Sequence, residues 1–245
     1  MSTDPKGLLF VYGECGGGVM EEEFNDWYDN EHAPARLTVS GIFSALRYKA
    51  VDHKPPSWLA LYDTAGPSVL QSEEYKSLRT KASQNERNIV SRLMLLNRQI
   101  FTLISAVSAS PANPQVVNGK FLYVVHMDVI SADKEANHEK EFLTWYSETR
   151  IPLLSKVPGW NRSRIFMLED HGELAGMADK ASPLANKAPT KYMALHEWDR
   201  DAAEVMDSLE FKECMTAERP WTTQGQKAYA EMEDRRFELY KKFDK

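Results

Sequence analysis

Leu59 and Leu61 alternate with Trp58, Ala60 and Tyr62 along "SWLALYD" (Ser57–Asp63), and Met193 and Leu195 alternate with Tyr192, Ala194 and His196 along Tyr192–Glu197, "YMALHE". Alternation with period two predicts a strand in each place. "GLLFVYG", "RQIFTLIS" and "KFLYVVHMD" are short apolar runs suited to further strands, and "IFSALRYKAV" predicts another. Elsewhere the rhythm is helical. Phe24, Tyr28 and His32 recur at i, i+4 and i+8, which places two aromatics and an imidazole on one face of a helix predicted over 19–36. Glu21, Glu22 and Glu23 suit its positive N-terminal end. Pro34 predicts a kink or a stop beside His32. "PSVLQSEEYKSLRTK" predicts a helix with Pro67 near its first turn, and Ser83 to Leu96 predicts more helix.

The pattern occurs twice. "FNDWYDNEHAPARLTVSG" (Phe24–Gly41) overlies "FLTWYSETRIPLLSKVPG" (Phe142–Gly159) without a gap, at a constant offset of 118 residues. Trp27-Tyr28 matches Trp145-Tyr146, Pro34 matches Pro152, and Gly41 matches Gly159. The echo continues in "LALYD" and "MALHE", and in "RQIFTL" and "RRFELY". We read a tandem duplication, with residues 1–110 as the first repeat and 111–245 as the second. Each repeat reads strand, helix, strand, strand, helix, strand, the ferredoxin-like order. One face of such a sheet is left open and needs a partner. The expected fold is α+β, two ferredoxin-like βαββαβ repeats closing an intramolecular, pseudo-dimeric barrel around a cavity.

Strand parity nominates the lining of that cavity. Leu59 and Leu61 share one face, as do Met193 and Leu195, and this aliphatic face is expected to pack on helices. The mixed face, Trp58, Tyr62, Tyr192 and His196, is expected to line a small-molecule pocket. His126 shares a face with Asp128 and joins this set; Arg47, Arg162 and Arg164 fall on no single parity. His32 reads either as a structural histidine beside a proline or as a proton-transfer group. Tyr28 one turn away adds a phenol able to relay a proton. Glu31 reads as a solvated residue or a partner of Arg36, and second as a carboxylate orienting an imidazole. In the second repeat Arg150 stands where His32 stands in the first.

Composition narrows the classes. Over 245 residues, 42% hydrophobic and 27% charged residues describe an ordinary globular chain, and a net charge of −6 offers no basic footprint for nucleic acid. No apolar run reaches the roughly 20 residues of a membrane span, so no membrane association is expected. The start, "MSTDPKG", lacks the apolar core of a signal peptide, and Cys15 and Cys214 stand far apart, which together suggest a reduced, cytoplasmic protein. There is no His-Glu-x-x-His or Cys-x-x-Cys, so no metal is expected, and "GECGGG" lacks the spacing of a nucleotide loop. The segment 168–191, sixteen residues longer than its counterpart, reads as a loop or lid.

The set Phe24, Trp27, Tyr28, Glu31, His32, Pro34, Arg36, Gly41, Phe43, Ala45, Arg47 and Tyr48 resembles the EthD-like members of the dimeric α+β barrel superfamily. Relatives in that superfamily include cofactor-free isomerases, polyketide cyclases, decarboxylases and haem-degrading monooxygenases, besides proteins of no known activity. The second repeat departs from the pattern at Thr149 and Arg150. The expected function is a cofactor-independent enzyme using proton-transfer chemistry on a carbonyl, lactone or polyketide-like substrate, of isomerase, cyclase, dehydratase or decarboxylase type, as in secondary metabolism. His32 and Tyr28 are the expected catalytic residues; Trp58, Tyr62, Tyr192, His196, His126 and Arg150 are expected to bind substrate. The alternatives are a non-catalytic ligand-binding barrel and a haem-dependent monooxygenase. The partner is a small molecule, and the chain is expected to be a monomer or a homodimer.

Overall fold

The computed structural model describes residues 5–110, 119–130, 137–175, 188–217 and 230–245. In chain order the strands are β1 (Gly7–Glu14), β2 (Ala45–Ala50), β3 (Trp58–Thr64), β4 (Leu95–Ser108), β5 (Phe121–Val129), β6 (Trp160–Ala175), β7 (Tyr192–Trp198) and β8 (Ala230–Phe243). Helices α1 (Glu21–Trp27) and α2 (Ala33–Leu37) flank a π-helical turn, Tyr28–His32. Then come α3 (Glu73–Thr80), α4 (Gln84–Arg92) and α5 (His138–Trp145), the last followed by a second π-helical turn, Tyr146–Arg150. Helices α6 (Ile151–Leu154), α7 (Ala202–Asp207) and α8 (Leu209–Thr216) follow. The strands follow the closed order β1-β3-β2-β8-β5-β7-β6-β4, an α+β barrel of two ferredoxin-like repeats. None of the described helices is long and apolar enough to cross a membrane.

The chain divides into two compact units. The first holds Met1–Leu103 with Met167–Pro189 and Leu239–Lys245; the second holds Ile104–Phe166 and Thr190–Glu238. In the first, β1 pairs antiparallel with both β3 and β4, and β2 pairs with β3. Leu9, Val11, Trp58, Ala60, Tyr62 and Ile100 join Phe24, Trp27, Tyr28 and Leu37 in one buried cluster between sheet and helices. In the second, β5 pairs antiparallel with β7 and β8. Tyr123 packs on His196 and Phe211, and Trp198 on Phe211, so the same strand parity meets the helices.

Both helical runs pass their proline instead of stopping at it. Each is widened by one residue just before it: the Ala33 N–H donates to Tyr28 O, and the Ile151 N–H to Tyr146 O, five residues back. Pro34 and Pro152 then sit in the first turn of α2 and α6, where a missing N–H costs nothing. Gly41 and Gly159 end the two runs at φ 84° and 82°. A Cβ on Gly159 would lie 2.5 Å from Asp199 Oδ1, so only glycine fits. Part of the segment expected as a loop is strand, since β6 runs on to Ala175; residues 176–187 and the expected repeat junction at 111–118 lie outside the described residues.

Candidate functional site

The strand period of the sequence analysis is correct and its phase is reversed. Trp58, Tyr62, Tyr192 and His196 face the helices, while Leu59 and Leu61 lie on the opposite face beside buried Phe10 and Tyr12. The physical reason is aromatic packing. Phe24, Trp27 and Tyr28 descend from the helix, and flat rings on the strand fill the space beneath them better than aliphatic chains. The polar groups worth weighing therefore lie between helices and sheet, once in each unit.

In the first unit His32 ends the π-helical turn and is buried, 2% exposed. Its ring packs 4.5 Å from that of Trp27 and 4.7 Å from that of Tyr28. Nδ1 lies 3.2 Å from Glu86 Oε1, within ion-pair reach but poorly aligned for a hydrogen bond. Burial, reinforced by the Arg36 charge, pulls the imidazole down to about 3 against the pull of Glu86, so His32 is neutral at neutral pH. Burial would raise the Glu86 carboxyl, yet its contact with His32 and the Arg36 guanidinium at 3.9 Å hold it below the usual range. Arg36 also donates to His32 O at 2.8 Å. Beside them Tyr62 and Tyr28 share a hydroxyl–hydroxyl hydrogen bond of 3.2 Å. Burial lifts both phenols above their ordinary value, so both remain protonated donors.

Glu86 escaped the sequence reading. "SQNE" before α4 is a capping pair, and Ser83 Oγ does accept from the Glu86 N–H at 2.9 Å. The carboxylate, however, turns to His32 and Arg36. Glu31, the carboxylate nominated from sequence, accepts instead from Asn85 at 3.1 Å.

The second unit places different groups at equivalent points. Tyr146 occupies the position of Tyr28, Arg150 that of His32, and His196 that of Tyr62. His196, fully buried, has Nε2 2.9 Å from the Tyr146 hydroxyl and Nδ1 2.7 Å from Ser163 Oγ. Trp160 Nε1 donates to Ser163 Oγ at 3.1 Å. Burial, with the Arg150 charge, lowers the His196 imidazole to about 3. Arg150 is 2% exposed; it donates to Cys214 O and reaches Met215 Sδ at 3.5 Å, while its Nε has no partner among the described residues. Neither Tyr146 nor Ser163 carried a chemical signal in the sequence; Tyr146 read only as scaffold.

The remaining nominated residues do not converge on either group. Trp58 forms, with Phe24, Tyr28 and Tyr240, an aromatic box around the buried Arg47 guanidinium, which also bonds Asp29 and Asn25. Tyr192 bonds Glu139 and borders a surface cleft of about 450 Å³ lined also by Leu143, Thr144 and Ser147. His126 pairs in register with Met193, on the face turned away from the helices. Arg162 and Arg164 lie on that face too, bonding the buried Glu197 at 2.8 and 3.0 Å. Among the described residues no three His, Cys, Asp or Glu side chains gather so as to hold a metal ion.

No family model and no curated protein matches the chain. Solved structures do. An anthrone oxidase-like protein is 12% identical with a TM-score of 0.56, the match covering 99% of this chain and 95% of that one. A candidate monooxygenase from Fusobacterium nucleatum is 10% identical with a TM-score of 0.54, covering 100% and 96%. A heme-binding protein from Thermus thermophilus is 12% identical with a TM-score of 0.53, covering 97% and 92%. At this identity the likeness is one of fold, and the fold is that of the ferredoxin-like α+β barrel proteins.

Proposed function

We propose that this protein is a cofactor-independent enzyme that moves a proton on a small carbonyl compound of lactone or polyketide-like type, in the manner of an isomerase, cyclase, dehydratase or decarboxylase. We further propose that it arose by duplication of one EthD-like unit, joined near residue 110, and that it works in the cytoplasm. The observation that carries the reading is the buried His32–Glu86 pair beside the Tyr28–Tyr62 hydroxyls. In this reading the Glu86 carboxylate beside Nδ1 favours the imidazolium as it forms, and Nε2 takes a proton from the carbon next to the carbonyl. A phenol donates to the enolate oxygen as charge develops. The negative charge raises the imidazole's basicity as it forms, and the proton returns at the product carbon.

Neither histidine favours a haem-dependent reading. Both ring nitrogens of His196 are engaged, and His32 is packed against two rings. The test is deuterium exchange at the α-carbon of a panel of aryl ketones and lactones in D₂O. We expect exchange with the natural protein and its loss in His32→Ala. Exchange retained in His32→Ala overturns the mechanism; a panel that binds without exchange supports a non-catalytic ligand-binding barrel.

A further inference from the structure

The second unit contains a buried cluster with more donor hydrogens than hydrogen bonds. Trp160 N–H, Ser163 O–H, the single N–H of neutral His196 and Tyr146 O–H make four donor hydrogens in one chain, and the chain has three hydrogen bonds. Whichever tautomer His196 adopts, one hydrogen is left over. With the proton on Nε2, the bonds run Trp160 to Ser163 to His196 to Tyr146, and the unused hydrogen is on the Tyr146 phenol. With the proton on Nδ1, it is on Ser163. Neither hydroxyl has another acceptor among the described residues.

The second observation is Arg150, four residues on from Tyr146 at the other end of the π-helical turn. Its guanidinium is buried, and among the described residues no carboxylate lies within 4.0 Å of it. Its Nε–H has no acceptor among the described residues. Burial holds the Tyr146 phenol well above its ordinary value and the His196 imidazole below its own, and the Arg150 charge acts on both groups in the lowering direction. An unpaired buried guanidinium and an unsatisfied phenol are each costly to leave as they are. An anionic oxygen is the kind of atom that would satisfy either.

We propose that the second unit holds an oxyanion site of its own, with the Tyr146 hydroxyl and Arg150 Nε as donors and the Ser163–His196 chain orienting the phenol. Its ligand is a small organic anion whose charge sits on a carbonyl-derived oxygen, an enolate or phenolate. The anion accepts from Tyr146 O–H, which fixes His196 as the Nε2–H tautomer and satisfies every donor in the chain. A neutral hydrocarbon gains nothing from these groups.

The probe is 4-nitrophenol, buffered where it is mainly neutral in solution, with 4-nitroanisole as the neutral control. Binding at this site draws out the phenolate absorption band. Tyr146→Phe is expected to weaken phenolate binding by about tenfold or more, as for the loss of a hydrogen bond to a charged group, and to leave 4-nitroanisole binding within about twofold. In ¹⁵N-histidine spectra the titration is expected to bring His196 to the Nε2–H form in the natural protein and not in Tyr146→Phe. The proposal is overturned if no phenolate band develops, if Tyr146→Phe binds phenolate like the natural protein, or if Tyr62→Phe loses binding in its place. None of these readouts uses turnover, so failure here leaves the His32 reaction standing, and loss of that reaction leaves this site standing.

Discussion

The two helix–sheet layers place polar groups at the same backbone points and combine them in opposite ways. In the first, an imidazole faces a carboxylate, and a phenol bonds a phenol. In the second, a guanidinium stands at the imidazole's position with no carboxylate among the described residues to pair it, and an imidazole replaces the inner phenol. The first layer contains an acceptor and donors together, the arrangement proton transfer requires; the second contains surplus donors, the arrangement that holds an anion. The scaffold beneath is shared: the widened turn before a proline, and the glycine at positive φ that ends the run. A shared backbone frame with exchanged side chains is what the two proposed tasks rest on.

The largest effect expected from this contrast is kinetic. His32→Ala should lower turnover on a responsive ketone or lactone by about 10²–10⁴, the usual contribution of a general acid–base group. His196→Gln should lower it by less than tenfold. Steady-state kinetics of the two variants would reverse the assignment of tasks if His196→Gln proved the more damaging.

Acid should destabilise both layers. His32 and His196 are held neutral in the fold, with pKa values of about 3, and become charged on unfolding once the pH is below about 6.5. Protonation therefore favours the unfolded chain as pH falls from about 6.5 towards 3. Well below pH 6.5 each imidazole contributes about 1.4 kcal/mol of lost stability per pH unit, and the pair loses about 3 kcal/mol between pH 6.5 and 5. Urea titrations should show this slope, and His32→Gln with His196→Gln should flatten it. A slope that begins only in the carboxylate range would mean that the imidazoles are solvated.

The buried arginines should respond in opposite ways to neutral replacement. Arg47 is paired with Asp29 and boxed by four rings, so Arg47→Met leaves a buried carboxylate behind and should cost about 3 kcal/mol. Lys241, 3.0 Å from Asp29, keeps the loss at the lower end of that class. Arg150→Met removes a charge that lacks a carboxylate, and should change stability by about 1 kcal/mol or less in either direction. Thermal unfolding of the two variants decides this, and equal losses would mean that Arg150 has a counter-charge.

The smallest expected effect distinguishes the relay itself. Ser163→Ala should cost about 1 kcal/mol, because the Trp160 N–H and His196 Nδ1 lose their partner. Ala45, 118 residues earlier at the same point of the first repeat, is buried in an apolar cluster. Ala45→Ser should also destabilise, by about 1 kcal/mol, by burying a hydroxyl with nothing to bond. Urea midpoints measure both, and a neutral Ser163→Ala would show that the relay is not maintained in solution.

Much of the fold could be read from the residues alone, because strand period, helix period and the repeated Trp-Tyr…Pro…Gly pattern are local properties of the chain. They indicated two βαββαβ repeats, and they marked the helical face carrying Phe24, Tyr28 and His32. They did not settle which strand face meets the helices. Period two has two phases, and both faces of β3 are buried, so hydropathy does not distinguish Leu59 and Leu61 from Trp58 and Tyr62. Nor did the local pattern warn that each run would pass its proline by widening a turn. The partnerships that define the two sites were beyond it altogether: Glu86 reaches His32 across 54 residues, and Ser163 reaches His196 across 33. Those contacts, and the burial that carries both imidazoles to about 3, depend on which groups packing brings together and how completely it removes water. A linear pattern names the groups available for chemistry, but only the tertiary structure decides which of them touch.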